Sequence, residues 1–279
     1  MPYLPSHVNS ILFISFKHKH FRNLKSPAMK TLLLLGGMTP DVTTLYYKTI
    51  NTIARNRLGA RHSAPLYLFS AEFESMVQSA SRGDWTSFAQ AYLDPIDALV
   101  VSPSRSKVHG VVVGAILAHK VAKQLEDALR PTGVPFLHVA DFLARHVKSQ
   151  LPDVKTLGLI GPKVTMLGAE DPDFFIGRLQ GPSNNLRILV PDSKASLDEV
   201  NRGMFEEVAK GAANVTSTTK AMFVREAKAL VDRGAQAIIL GSTDLGFVIN
   251  QDDLGGGIPL LDAATIHAEG VANWAIDEA

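Results

Sequence analysis

The amino-acid sequence predicts an α/β fold with parallel sheets that are covered by helices on both faces. The first observation is that short apolar runs, typical of buried strands, alternate along the chain with segments of helical periodicity. The second is that the two halves of the chain resemble each other. Because ligands of parallel sheets bind beyond the carboxyl ends of the strands, the residues after each apolar run are the candidates for a site.

The predicted strands are short and mostly end at glycine or a polar residue. The first of them, Thr31 to Leu35, runs directly into Gly36 and Gly37, as expected for a buried strand followed by a tight turn. All predicted strands are residues 31–35, 66–70, 111–113, 136–139, 156–160, 188–190, 237–240 and 258–261. The predicted helices are residues 41–58, 121–129, 141–150, 197–209 and 219–232.

The internal similarity consists of two pairs of strand-like runs. The run that ends at Gly36 resembles the run that ends at Gly161, and the run before Gly114 resembles the run before Ser242. The spacing agrees, since 78 residues separate Gly36 from Gly114 and 81 separate Gly161 from Ser242. Two such halves can pack about a pseudo-twofold axis, with Gly114 and Ser242 facing a ligand from opposite sides.

Composition excludes several classes of protein. The chain has 279 residues, of which 46% are hydrophobic and 20% charged, as in ordinary globular proteins and unlike disordered ones. Lys and Arg number 28 against 27 for Asp and Glu, so there is no basic surplus for nucleic acid. The absence of cysteine excludes disulfides, thiolate metal sites and thiol nucleophiles.

Residues 1–29 differ from the rest and are interpreted as a disordered or mispredicted N-terminal extension. Up to residue 28 they contain four Lys or Arg and no acidic residue. The apolar run 11–14 is too short to span a bilayer, and no charged region precedes it as in a secretory signal. The expected location is cytoplasmic. A mitochondrial presequence is the alternative, because the segment is basic and contains serine.

Several motifs in order along the chain resemble one protein family. They are 36–40 (GGMTP), 44–51 (TLYYKTIN), 62–64 (HSA), 83–85 (GDW), 119–122 (HKVA), 156–161 (TLGLIG), 165–166 (TM), 205–211 (FEEVAKG), 239–244 (ILGSTD) and 259–262 (PLLD). Over about residues 30–275 the chain resembles the cofactor-independent aspartate/glutamate/hydantoin racemase superfamily, most closely its aspartate racemase branch.

This resemblance implies a fold and a division of the chain. It implies two doubly wound parallel-sheet domains related by a pseudo-twofold axis, with the cleft between them. The first half would comprise residues 30–132 plus 262–279, and the second half residues 133–261. A homodimer is possible, since dimers are common in the family.

The same resemblance implies that the chemistry has changed. Racemases of this family use two cysteines, one in each half, as opposed acid and base at the α-carbon of the substrate. Here Gly114 and Ser242 stand at those positions. Glycine has no titratable group, and a serine hydroxyl is a very weak base unless another group activates it. The two-thiol mechanism is therefore impossible in this chain.

Three polar residues are candidates for catalysis. Ser242 is a candidate acid, hydrogen-bond donor or nucleophile, or else a small residue that fills a turn. Asp244 is a candidate base whose pKa would rise in an apolar cleft, or else the N-cap of a helix that starts near Leu245. His119 titrates near neutrality and lies beside the predicted cleft, or else has a structural role.

The candidate binding residues follow the strand ends of both halves. Thr39 and Thr165 occupy equivalent places after the first glycine turn of each half, where backbone N–H groups at a helix start can hold an anion. The apolar wall Ala115-Ile116-Leu117-Ala118 stands where aspartate racemases have polar residues, which favours a larger or less polar ligand. The predicted substrate-binding residues are Met38, Thr39, Gly114, Ala115, Ile116, Thr165 and Thr243.

These observations leave two functions open. The first is a cofactor-independent isomerase, epimerase, lyase or cyclase that acts on a small organic acid or a less polar metabolite. The second is a catalytically inactive racemase paralogue that binds a ligand or a partner. No motif for a metal, nucleotide or flavin is found, so the expected partner is a small molecule, with neither nucleic acid nor membrane.

Overall fold

The computed structural model of the chain describes residues 29–36, 38–102 and 107–277. The interpretation of the N-terminal extension lies outside these residues. Among the described residues, seven parallel strands form two sheets. The strands are β1 (Leu32–Leu35), β2 (Leu66–Phe69), β3 (Gly110–Val113), β4 (Thr156–Ile160), β5 (Arg187–Leu189), β6 (Ala237–Leu240) and β7 (Leu260–Asp262).

Helices connect and cover the strands. They are α1 (Pro40–Leu58), α2 (Phe73–Ser81), α3 (Trp85–Ile96), α4 (Ala122–Leu129), α5 (Val139–Gln150), α6 (Lys163–Met166), α7 (Phe175–Leu179), α8 (Lys194–Glu206), α9 (Ser217–Asp232) and α10 (Ala263–Asp277). The alternation of strands and helices confirms the predicted α/β fold with parallel sheets. No helix within the described ranges is both long and apolar enough to cross a membrane.

The two sheets share one strand order. The first sheet runs β2-β1-β3 and the second runs β5-β4-β6-β7, so the first three strands of each half are arranged alike. Residue pairing follows the same pattern, with Leu35 opposite Val113 at the end of one sheet and Ile160 opposite Leu240 at the end of the other. The strand ends that the sequence repeat brings together therefore lie at equivalent places.

The predicted strand 136–139 is wrong. Only Phe136 pairs with β3, as a single bridge to Val111, at the place that corresponds to β7 beside β6. The backbone leaves the sheet because His138 caps α5, its Nδ1 accepting a hydrogen bond from the N–H of Ala140 at 3.1 Å. Leu137 and His138 belong to neither strand nor helix, and the helix begins at Val139.

The predicted helix 197–209 is also placed too late along the chain. Ser193 caps α8, and the helix ends at Glu206, followed by a separate turn at Val208–Lys210. The break occurs at Glu207, whose carboxylate accepts hydrogen bonds from Thr216 and Thr219 at the start of α9. A contact between two helices thus overrides the apolar periodicity of this segment.

Apolar residues alternate between the two faces of the first sheet. Leu33 and Leu35 pack on one face with Val111 and Val113, while Leu32 and Leu34 pack on the other face with α1 and α10. A single core of the second half surrounds β4 and β6. Because helices cover both faces of the central strands, these strands are apolar throughout, as the sequence predicted.

Helix α10 follows the second sheet but packs on the first half. It contacts α1 closely and also α5. The side chain of Arg57 on α1 reaches Asn273 and Asp277 on α10. The division of the chain at residues 132/133 and 261/262 stays a prediction.

Candidate functional site

A cleft lies where the carboxyl ends of β1, β3, β4 and β6 meet. Its lining residues come from both halves of the chain: Met38, Thr39, Phe73, Ala115, Ile116, Leu117, Pro162, Met204, Phe205, Ala209, Gly241, Ser242, Thr243 and Asp244. Most of these side chains are apolar, and the polar ones are clustered at Thr39 and residues 242–244. Such a combination of apolar walls and a few convergent polar groups is characteristic of small-molecule sites.

One hydrogen bond joins the two halves across the polar end of the cleft. The hydroxyl of Thr39 donates to Oδ1 of Asp244 at 2.6 Å. Thr39 is held in place because it caps α1, its Oγ1 accepting from the N–H of Val42 at 3.4 Å, with Pro40 at the first helical position. The start of α1 therefore positions the carboxylate of the opposite half.

Asp244 is a partly buried carboxylate in a largely apolar environment. Its pKa is raised to about 6: removal from water is the main cause and the charge of Asp41 adds to it, while the hydrogen bonds from Thr39 and Thr243 act in the opposite direction. Its side chain makes no capping bond to the turn that starts at Leu245. The carboxylate is thus directed toward Thr39 and the cleft rather than toward its own backbone.

Two hydroxyl groups accompany this carboxylate. Ser242 is 7% exposed and Thr243 5% exposed, so both are nearly buried in the lining of the cleft. The Oγ of Ser242 accepts a long hydrogen bond of 3.4 Å from the N–H of Asp244. Its own hydroxyl proton is free of any protein acceptor among the described residues, so it can be donated to a ligand.

The close approach of two glycines sets the position of Ser242. A Cβ added to Gly161, at the end of β4, would lie 2.6 Å from the carbonyl oxygen of Gly241. The N–H of Gly241 donates to the carbonyl of Ile160 at 2.7 Å, so the two strand ends are held together directly before the cleft.

We expect Gly161→Ala to destabilise the protein by about 1–3 kcal/mol, because the new methyl group would overlap a backbone carbonyl that cannot rotate away. Urea unfolding monitored by circular dichroism measures the loss. Gly256→Ala is the matched control, since a Cβ there meets nothing within 4 Å. Equal stability of the two variants would contradict the close approach.

His119 lies behind the cleft wall and not in its lining. Its Nε2 accepts from the N–H of Val139 at 3.3 Å, so the proton is on Nδ1, which donates to the carbonyl of Ala115 at 2.8 Å. Burial lowers the pKa of His119 to about 4, which keeps the ring neutral. Both ring nitrogens are therefore hydrogen-bonded to backbone groups. One of these groups is the carbonyl of Ala115, which belongs to the cleft wall.

Two further predicted residues are near the cleft without lining it. Gly114 is buried, and its N–H continues the pairing of β1 and β3 by donating to the carbonyl of Leu35 at 3.0 Å. Thr165 is fully buried on α6, three residues after Pro162, and its hydroxyl has no hydrogen-bond partner in the described part of the chain. An unsatisfied buried hydroxyl is uncommon and points to a missing partner.

The remaining predicted residues line the cleft, together with others that sequence reasoning missed. Met38, Thr39, Ala115, Ile116, Ser242, Thr243 and Asp244 are all in the lining. The missed ones include Phe73 on α2 and Met204 and Phe205 on α8, which lie far from any strand end in the sequence. Phe205 belongs to the family motif 205–211, which marked the segment but not its place, whereas nothing in the sequence marks Phe73 or Met204; the packing of these helices brings all three to the cleft.

The hydrogen bond across the cleft leads to a measurable pKa shift. We expect Thr39→Val to raise the pKa of Asp244 above about 6, since it removes a donor that stabilises the charged carboxylate. The pKa is measured by ¹³C NMR titration of the Asp244 carboxyl carbon. Thr39→Ser keeps the hydroxyl and should leave the pKa near 6. A pKa that falls in the valine variant would show that Thr39 does not donate to Asp244.

The fold and the cleft define a class of protein: an α/β protein of two similar halves, with a cleft between their strand ends. The family model of the Asp/Glu/Hydantoin racemases matches residues 35–271. The chain belongs to this family.

Solved structures show the same architecture. A Yersinia pestis protein assigned to the Asp/Glu racemases is 32% identical, with a TM-score of 0.75, and the match covers 88% of this chain and 99% of that one. An aspartate racemase homologue from Pyrococcus horikoshii is 27% identical, with a TM-score of 0.67 and the same coverage. The aspartate racemase of Picrophilus torridus, at 18% identity and a TM-score of 0.65 over 88% of this chain and 94% of that one, supports the fold alone.

Proposed function

We propose that the protein is a cofactor-independent enzyme that moves a proton at a carbon atom of a small organic acid or less polar metabolite. The reaction would be of the isomerase/epimerase or the lyase/cyclase type. The observation that carries this proposal is the partly buried carboxylate of Asp244, held by Thr39 of the opposite half at the polar end of an apolar cleft.

Asp244 has the properties of a general base. With a pKa of about 6, it is mostly deprotonated at neutral pH and yet far more basic than an exposed aspartate. General-base catalysis is most efficient when the pKa lies near the operating pH. Ser242, two residues away, would donate its hydroxyl proton to an oxygen atom of the substrate on which charge develops.

The other candidates for the base are less suitable. The chain contains no cysteine, so no thiolate can take this role. His119 presents no free nitrogen to the cleft, and its neutral ring supports the carbonyl of Ala115 in the wall. Within the described residues, Asp244 is the single side chain of the lining that titrates between pH 4 and 10.

The walls support a substrate that is less polar than aspartate. The stretch 115–117 places three apolar side chains in the cleft, and Met204 and Phe205 face them from the second half. Thr39, Thr165 and Thr243 are the proposed polar contacts. Thr165 does not line the cleft in this structure and is included because its buried hydroxyl has no partner among the described residues.

Proton exchange tests the proposal directly. The purified full chain is incubated in D₂O with a panel of chiral carboxylic acids, amino acids, amines and carbonyl compounds, and ¹H NMR detects loss of a C–H signal. Deuterium entering one substrate at a single carbon, faster than without protein, is the expected result. No exchange for any compound would contradict the proposed proton transfer.

A second candidate function has an observation of its own. A family member without any thiol can also be an inactive paralogue that binds a ligand or a partner. In that case saturation-transfer NMR would detect binding of a compound from the same panel without any exchange at its carbon atoms. The two experiments together therefore separate an enzyme from a binding protein.

A further inference from the structure

We propose that the ligand of the cleft carries an amine and no carboxylate, with its ammonium group beside Asp244 and its apolar body along the walls. This inference rests on the proposed function in that it concerns the same cleft. It specifies the charge of the ligand, and the proposed reaction leaves that charge open.

The distribution of charge in the cleft carries the inference. Asp244 is the one charged side chain among the described lining residues, and no Lys, Arg or His is in that set. Its Oδ1 accepts a hydrogen bond from Thr39, but a neutral hydroxyl does not balance the charge. A carboxylate that is largely removed from water and has no cationic partner is unfavourable, and a ligand that brings a cation supplies the missing partner.

Two lysines that lie close in sequence to the described lining are already engaged. Lys163 directly follows Pro162 of the lining, but its Nζ donates to Asp198 at 2.5 Å. Lys120 is close in sequence to the wall at 115–117, and its Nζ donates to Asp171 at 2.6 Å. Neither is available to balance Asp244 or to receive a ligand carboxylate.

Two other lysines lie in a separate outer groove. This groove is lined by Asp41, Thr44, Leu45, Lys48, Thr49, Lys210, Gly211, Ala212, Ala213, Asn214 and Phe247. Lys48 and Lys210 are exposed there, outside the lining of the cleft. They share the groove with Asp41, whose negative charge is felt by Asp244.

A carboxylate ligand would be disfavoured by this arrangement. Seated against residues 242–244, it would place a second negative charge next to Asp244 in an apolar environment, where like charges repel strongly. An ammonium group in the same place would pair with Asp244 and donate its other protons to Ser242 or to solvent. The apolar part of the ligand would contact Met38, Ile116 and Phe205.

Three probes of equal shape test the charge preference: 3-phenylpropylamine, 3-phenylpropan-1-ol and 3-phenylpropanoate. Binding to the full chain is measured by isothermal titration calorimetry at about pH 8, where Asp244 is deprotonated and an alkylamine protonated. We expect the amine to bind about tenfold or more tightly than the alcohol, as for a hydrogen bond to a charged group. The carboxylate should bind most weakly.

Variants assign the preference to its source. Asp244→Asn should bring the affinity of the amine down to that of the alcohol and improve binding of the carboxylate. Asp41→Asn, in the outer groove, is the matched control. In this variant the amine should still bind more tightly than the alcohol. Tightest binding of the carboxylate, weakened by Lys210→Ala or Lys48→Ala, would overturn the inference. So would a failure of all three probes to bind.

The experiments distinguish a failure of this inference from a failure of the proposed function. Binding is measured without turnover, so amine selectivity without deuterium exchange on any compound would leave the inference in place and contradict the proposed enzyme. Exchange on a carboxylic acid, together with tightest binding of the carboxylate probe, would contradict the inference and support the enzyme.

Discussion

Replacing Asp244 by asparagine is expected to abolish proton exchange on the substrate identified in D₂O. Asparagine has nearly the same shape and can still accept a hydrogen bond from Thr39, but it cannot take up a proton. Removal of a general base lowers the rate by about 10²- to 10⁴-fold. The rate of deuterium incorporation, followed by ¹H NMR, measures the loss.

Controls show whether the effect belongs to the carboxylate. Asp41→Asn removes a nearby carboxylate that lies outside the cleft lining and should retain most of the exchange. Ser242→Ala should slow exchange less than Asp244→Asn, because it removes a proposed donor and leaves the base. Full activity of the Asp244→Asn variant would assign the base to another group.

The pH dependence of the wild type follows from the same pKa. Because the pKa of Asp244 is about 6, the carboxylate is protonated below that pH and unable to act as a base. The exchange rate should therefore rise about tenfold per pH unit below pH 6 and level off above it. A rate that falls with rising pH in this range would contradict a carboxylate base.

Acid is expected to destabilise the folded protein strongly through three buried histidines. His119, His138 and His267 lie together between the two halves, with ring centroids 4.4 Å apart for His119 and His138 and 6.1 Å apart for His119 and His267. All three are at most 1% exposed. Each uses one ring nitrogen as an acceptor, so each is neutral in the folded state.

The hydrogen bonds of the other two histidines explain this neutrality. In His138, Nδ1 accepts from Ala140, and Nε2 donates to the carbonyl of Asp173 at 3.2 Å. In His267, Nε2 donates to the carbonyl of Leu137 at 2.9 Å, and Nδ1 accepts from the hydroxyl of Tyr46 at 2.8 Å. Protonation would place a donor against a donor at each acceptor nitrogen.

Burial, the dominant cause, lowers the pKa of all three side chains. The pKa is about 4 for His119 and about 3 for His267, and that of His138 lies well below the usual value near 6.5. Neighbouring charges also act on the cluster: Arg178 lowers and Asp141 raises the pKa of His119, and Arg145 lowers that of His267. Below pH 6.5 the unfolded chain therefore takes up three protons that the folded chain does not.

The sign of the pH effect follows from this difference. Stability from the histidines is complete above about pH 6.5 and is lost as the pH falls toward 4 and 3. Asp244 acts in the opposite sense near pH 5, because its raised pKa lets the folded state hold one extra proton. The net uptake of about two protons on unfolding lowers the free energy of unfolding by about 3 kcal/mol per pH unit between pH 6 and 5.

Urea unfolding at a series of pH values measures this slope. The slope is proportional to the net number of protons taken up on unfolding. His119→Asn should reduce that number by about one, and Asp244→Asn should increase it by about one. A wild-type stability that is flat between pH 6 and 5 would contradict neutral, buried histidines.

Much of the fold was predictable because it depends on local pattern. The apolar runs of β1, β3, β4 and β6 are continuous, since both faces of each central strand are covered, and the turns after β1 and β4 are marked by Gly36 and Gly161. The wrong strand at 136–139 illustrates the limit of this reasoning. Its apolar residues fit a strand, but only Phe136 pairs with the sheet, and the capping bond of His138 starts a helix at Val139.

The sequence by itself determined the parallel α/β fold, the loss of thiol chemistry and the strand-end residues of the cleft. These depend on residue type and on position relative to an apolar run. Only the tertiary structure decided that Asp244 faces Thr39, that His119 supports the wall from behind, and that Phe73, Met204 and Phe205 complete the cleft. Thr39 and Asp244 are 205 residues apart in the chain. The pKa of a carboxyl group and its partners depend on which distant residues surround it, and no local pattern encodes that.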